Sequence, residues 1–104
     1  MKIEVLKKLA DIREDFIHEA TTYQDCNPKA TIWIYKLSTG VKDNHIYYIQ
    51  LELETCEDGF MWDLGHYETE YEAENVASDM LVRVNRWAQG INVTVEQEIN
   101  VTQQ

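Results

Sequence analysis

Residues 56–75 read CEDGFMWDLGHYETEYEAEN, from Cys56 to Asn75, and their interpretation decides the architecture. The stretch holds seven acids, five aromatic rings counting His66, and no Lys or Arg. Two periodicities meet in it. Phe60, Trp62 and Leu64 alternate with Met61 and Asp63, which is the period of a strand with one buried face. From Thr69 onward the apolar residues step by three and four: Ala73, Val76, Ala77, Met80, Leu81, Val84, Trp87 and Ala88. That is the stripe of an amphipathic helix. Thr69 with Glu72 three residues later matches a capping box, in which the threonine oxygen accepts an orphan amide and the glutamate reaches back. Glu70, Glu72 and Glu74 sit where the helix dipole favours negative charge, and Arg83 and Arg86 fall toward the opposite end. Gly90 is the expected stop. The segment is therefore a strand running into a capped helix. Strict alternation sends Phe60, Trp62 and Leu64 inward, and Met61, Asp63 and Tyr67 outward.

Upstream, Glu57-Asp58-Gly59 makes a turn, and His45 to Glu54 is a strand. Tyr47, Ile49, Leu51 and Leu53 share its core face. Ile46, Tyr48, Gln50, Glu52 and Glu54 share the other. Gly40 to Asn44 is a hairpin loop, preceded by a strand from Ala30 to Ser38 rich in β-branched and aromatic residues. That first strand is apolar on both sides: Ile32 and Ile34 on one, Trp33, Tyr35 and Leu37 on the other. Alternation alone leaves open which set meets the core. Lys2 to about Thr22 is helical, with Val5, Leu9, Ile12, Phe16 and Ala20 on one stripe. Asn27 before Pro28 ends it. Downstream, Ile91 to Val101 is a strand whose odd positions, Gln97 apart, are apolar. The order is α-β-β-β-α-β, an α+β class: a four-stranded, mostly antiparallel sheet with two helices packed on one face. A right-handed crossover sets the last strand parallel to a neighbour, beside either the third strand or the first.

A chain of 104 residues is read as a single compact domain over 1–104. At that length folding buries more than about 60 % of the unfolded surface, enough for one modest core. Cys26 and Cys56, thirty residues apart, form no CxxC pair. With no secretory signal after Met1, cytoplasmic location and reduced cysteines are expected. The Asn-Val-Thr triplets at Asn92 and Asn100 are then simply strand residues. No run is long and apolar enough to span a membrane.

The net charge of −10 is unevenly spread. Eleven acids and no Lys or Arg lie between Lys42 and Arg83. Such a field repels DNA, RNA and anionic lipid. The exposed tyrosines could otherwise stack bases, but no direct nucleic-acid binding is expected beside Glu52, Glu54, Asp63, Glu96 and Glu98. No metal or cofactor is expected either. His66, Glu68, Asp43, His45 and Cys56 match no EF-hand loop, HExxH helix or CxxC pair. Nothing around either cysteine resembles a nucleophile signature, and the glycines are too scattered for a phosphate loop. The reading leans against an enzyme.

What remains is a contact surface. Tyr48, Glu52, Glu54, Met61, Asp63, Tyr67, Glu68, Glu96 and Glu98 are the candidate partner-binding residues. Ile32, Trp33, Ile34 and Tyr35 are candidates for a homodimer or ligand contact, because one face of that strand is apolar without need. The leading expectation is a small acidic interaction module that acts through its sheet face and acidic middle segment as a homodimer; its more specific version is an inhibitor that occupies the basic nucleic-acid groove of another protein. Its size and charge are those of inhibitors carried by phages and mobile elements. The competing expectation is a small-ligand or catalytic domain, with Trp33, Trp62 and Trp87 lining a pocket between sheet and helices and favouring a cationic ligand.

Overall fold

The computed structural model describes residues 2–100, with the side chains of Ile99 and Asn100 left aside. The end of the last strand at Val101 and the rest of the Asn100 triplet lie outside the described residues. The order is α1 (Ile3–Thr22), β1 (Lys29–Ser38), β2 (His45–Glu54), β3 (Gly59–Tyr67), α2 (Glu70–Trp87) and β4 (Asn92–Asn100), with a 3-10 turn at Gln24–Cys26. The sheet runs β3-β2-β1-β4. β1 is antiparallel to β2, β2 to β3, and β4 is parallel to β1. Of the two places open to the last strand, β4 takes the one beside β1. The chain reaches it from β3 by way of α2, which passes over the intervening strands.

Both helices lie on one face, and a single cluster joins them to the sheet. Val5, Leu9, Phe16 and Ala20 come from α1, and Ala73, Val76, Ala77, Met80 and Val84 from α2. They meet Ala30, Ile32 and Ile34 of β1, Tyr47, Ile49, Leu51 and Leu53 of β2, and Leu64 of β3. Ile32, Ile49, Leu51 and Leu53 are fully buried. Each such aliphatic side chain contributes roughly 1.5–3 kcal/mol on leaving water. Phe16 sits between Trp62 and Trp87, its ring centroid 5.7 Å from the first and 6.0 Å from the second. This settles the first strand. Ile32 and Ile34 are core, and Trp33 and Tyr35 face away.

Three expectations are corrected. The capping box forms by half: Thr69 Oγ1 accepts from the Glu72 amide at 3.2 Å. The Glu72 carboxylate does not reach back but meets Lys2 Nζ at 2.9 Å, tying the start of α1 to α2. Tyr67 points inward rather than outward. Gly65, with φ of 88°, adds an extra residue to β3 opposite the Tyr48–Gln50 segment of β2. The alternation flips there, as a β-bulge requires. Beyond it His66 pairs with Tyr48 and Tyr67 with Tyr47, so His66 is exposed and Tyr67 is buried. Finally, Cys26 and Cys56 are not free thiols. They are joined in a disulfide, with Cα atoms 5.4 Å apart. The β1–β2 hairpin brings them together, because Lys29 pairs with Glu54 at its open end and the cysteines lie just beyond. Among the described residues no helix is long and apolar enough to cross a membrane.

Candidate interaction surface

The face of the sheet turned from the helices is built from alternate residues of all four strands, aligned into cross-strand rows by the register. One row runs Glu98–Tyr35–Tyr48–His66 from β4 to β3. The next runs Glu96–Trp33–Gln50–Asp63, and a third Thr94–Thr31–Glu52–Met61. Asn92, Lys29 and Glu54 follow. Aromatic rings thus occupy the centre, and carboxylates occur on β4, β2 and β3 around them. Both helices are on the opposite side, so neither covers this surface.

The centre is organised. Trp33 stacks on Tyr35, with centroids 5.8 Å apart and planes inclined by 22°. Its indole N–H donates to Glu52 Oε1 at 2.9 Å, which orients both side chains. Tyr48 leans the other way onto His66, at 5.6 Å. Tyr35 is held above the ordinary tyrosine range by burial first, then by the charges of Glu98 and Glu52. Five acids occupy the face: Glu52, Glu54, Asp63, Glu96 and Glu98. Lys29 is the single Lys or Arg on it among the described residues, with Nζ 3.8 Å from Glu54 Oε1. Half-exposed aromatic rings beside carboxylates favour cations, since both ring quadrupole and carboxylate attract positive charge.

The structure brings seven of the candidate partner residues onto this one face: Tyr48, Glu52, Glu54, Met61, Asp63, Glu96 and Glu98. Trp33 and Tyr35 join them. Tyr67 does not belong, being 6 % exposed, with its hydroxyl donating to the Leu64 carbonyl at 2.8 Å. Glu68 is exposed but lies past the end of β3. Ile32 and Ile34 are sealed in the core and offer nothing to a partner. His66 and Leu37 were not among the candidates, yet both are on the face. For His66 the available signal was Gly65, since a glycine inside a strand marks a bulge.

The pocket expected between three tryptophans does not exist as such. Trp33 lies across the sheet from Trp62 and Trp87, because β1 turns its odd positions outward. A separate cavity of about 630 Å³ opens near the C-terminal ends of α1 and α2, where Ile17, Thr21, Gln24, Trp87 and Asn92 contribute to its walls. Its lining mixes amides with apolar carbon and brings no carboxylate to bear on a cation. Among the described residues no three His, Cys, Asp or Glu side chains gather as a metal would need. Comparison of the chain with protein-family models, with curated proteins and with solved structures finds no match in any of the three.

Proposed function

We propose that this chain is a non-enzymatic interaction module whose outer sheet face binds a basic protein surface of the kind that otherwise holds nucleic acid. The carrying observation is the composition of that face: five carboxylates to one lysine around an oriented aromatic centre. A basic groove would find phosphate-like charge there on a rigid support, and its polyanion would be displaced. Inhibition by such mimicry suits a small protein of net charge −10, as phages and mobile elements use against nucleic-acid enzymes. A homodimer through the same face is disfavoured by electrostatics, since it would set two copies of the five carboxylates against each other. A small-ligand role would use either the cavity near the helix ends, which has no carboxylate, or one of about 490 Å³ beside Tyr67 and Tyr71, where Lys2 already pairs with Glu72. The cytoplasm is part of the proposal. Its thiol pool would reduce the Cys26–Cys56 bridge, so binding must persist in the reduced form.

The test is a charge-matched comparison. Protamine carrying a short fluorescent DNA duplex serves as the basic nucleic-acid binder, and release of the duplex is followed by anisotropy. The Asp63→Lys, Glu96→Lys, Glu98→Lys triple variant alters the sheet face. The Asp11→Lys, Glu14→Lys, Asp15→Lys triple makes the same charge change on exposed positions of α1. The wild-type chain should release the duplex at low salt and fail at high salt. The sheet triple should lose at least tenfold in potency, and the α1 triple far less. Equal losses from both triples would reduce the effect to net charge and sink the assignment to the sheet face.

A further inference from the structure

Within the outer face, the tilts of the aromatic rings create a cleft. Tyr35 and Tyr48 are direct cross-strand partners, and such partners ordinarily pack against each other. Here Tyr35 leans along its own strand onto Trp33, while Tyr48 leans across to His66. The cause is the bulge at Gly65, which turns His66 outward to meet Tyr48. Between the two tyrosines lies a shallow, open depression of about 280 Å³, lined by Tyr35 and Leu37 from β1 and by Tyr48 and Gln50 from β2. Glu98 sits beside Tyr35 in the register, and Glu52 follows Gln50 on the same side of β2.

We infer that this cleft receives an arginine side chain of the basic partner, its guanidinium lying between the Tyr35 and Tyr48 rings with Glu98 and Gln50 as acceptors. The assignment rests on the interaction reading above and names the chemistry that the face selects. Two aromatic walls and an apolar Leu37 suit a flat, weakly hydrated cation. An ammonium is compact and strongly hydrated, so it loses more on entering such a place. The guanidinium also offers five N–H donors in a plane, enough to serve Glu98 and the Gln50 side-chain oxygen together. The Glu52 carboxylate, already fixed by Trp33, adds negative potential without having to move. Burial first, and then these two acids, Glu98 and Glu52, raise the ionisation of Tyr35, the direction that suits a site for positive charge.

The probes are two peptides of equal charge and length, one Gly-Arg repeat and one Gly-Lys repeat, titrated into the whole chain. Ring-proton shifts of Tyr35 and Tyr48 are followed by NMR. The arginine peptide should move both rings and bind several-fold more tightly than the lysine peptide. Tyr48→Leu and Glu98→Gln should each lower arginine-peptide affinity by about five- to tenfold, the range expected for a cation on an aromatic face or beside a carboxylate. Glu98 is exposed, so its variant isolates the effect should Tyr48→Leu disturb the sheet. Equal binding of both peptides, with neither variant altering it, would overturn the arginine cleft while leaving the interaction surface intact. If neither peptide shifts any resonance of the outer face, the interaction reading fails together with the cleft.

Discussion

Ile32 and Trp33 are neighbours in sequence and lie on opposite sides of one strand. Ile32 is fully buried beneath the helices, within the hydrophobic cluster that joins them to the sheet. Trp33 is half-buried, stacks on Tyr35 and spends its indole N–H on Glu52. The same division runs through β2, where Leu51 and Leu53 are sealed and Glu52 and Glu54 face solvent. One face is assembled by the hydrophobic effect and needs only shape and volume. The other carries aromatic residues and charges set in fixed relation by hydrogen bonding and stacking. That order on an uncovered face is what carries the proposal of a contact surface.

The largest expected contrast between the faces is in stability. Leu51→Ala removes a fully buried side chain from the middle of the core and should cost about 2–5 kcal/mol, toward the upper end because the surrounding strands cannot collapse. Leu37→Ala on the outer face should cost about 1 kcal/mol or less. Urea denaturation of the two variants measures both. A Leu37 variant as damaging as the Leu51 variant would mean that the outer face is also structural, and the division into core and contact surfaces would fail.

Next in size is the disulfide. Closing a loop of thirty residues restricts the unfolded chain by about 3–4 kcal/mol on the loop-entropy account. Cys56→Ser should lower the urea midpoint accordingly and leave outer-face chemical shifts in place, because the bridge lies at the end of the hairpin, away from the aromatic centre. If the shifts of Trp33 and Tyr48 move with the loss of the bond, the two regions are coupled and the surface responds to redox conditions.

Most of the inner face was legible in the sequence because burial imposes period. The alternation from Tyr47 to Leu53 and the stripe from Ala73 to Val84 each match what is buried. The outer face was only partly legible. Alternation placed Met61 and Asp63 correctly, but it carried Tyr67 outward across Gly65. A bulge costs a single residue and announces itself only as a glycine. The first strand was ambiguous because both sets of side chains are apolar, and packing had to choose between them. The disulfide could not be read from spacing, because the proximity of Cys26 and Cys56 depends on the hairpin register. The place of β4 depended on which edge α2 leads back to, a choice that local pattern does not encode.

Gly65 offers a third and smaller test, at the point where the two faces exchange residues. Its φ of 88° is one that side chains resist, so Gly65→Ala should cost about 1–2 kcal/mol. The added Cβ would meet Lys8 Nζ at 3.3 Å, the end of a flexible chain that can swing aside, so backbone strain is the larger part. Stability should fall modestly, and the His66–Tyr48 stack should loosen with it. That stack also holds the arginine cleft open, so the variant should weaken arginine-peptide binding by more than its stability loss implies. A variant with unchanged peptide affinity would separate the bulge from the cleft.

The smallest effect appears only in alkaline solution, and it concerns the residue that the bulge moved inward. Tyr67 has its ionisation pushed up to about 12, by burial first and then by the charges of Glu72 and Asp63. An unfolded tyrosine ionises near about 10. Between those values the native protein keeps a proton that the unfolded chain has released. The contribution to stability is therefore full below pH about 10 and is lost as pH rises toward about 12. Lys2, raised above 10.5 by its hydrogen bond and charge interaction with Glu72, acts in the same direction. The informative quantity is thus the difference between variant and wild type rather than the curve of the wild type. Tyr67→Phe should lose stability less steeply than the wild type across this window. If Tyr67→Phe follows the wild type instead, then Tyr67 reaches solvent and belongs to the outer face after all, and the bulge at Gly65 does not divide the two surfaces.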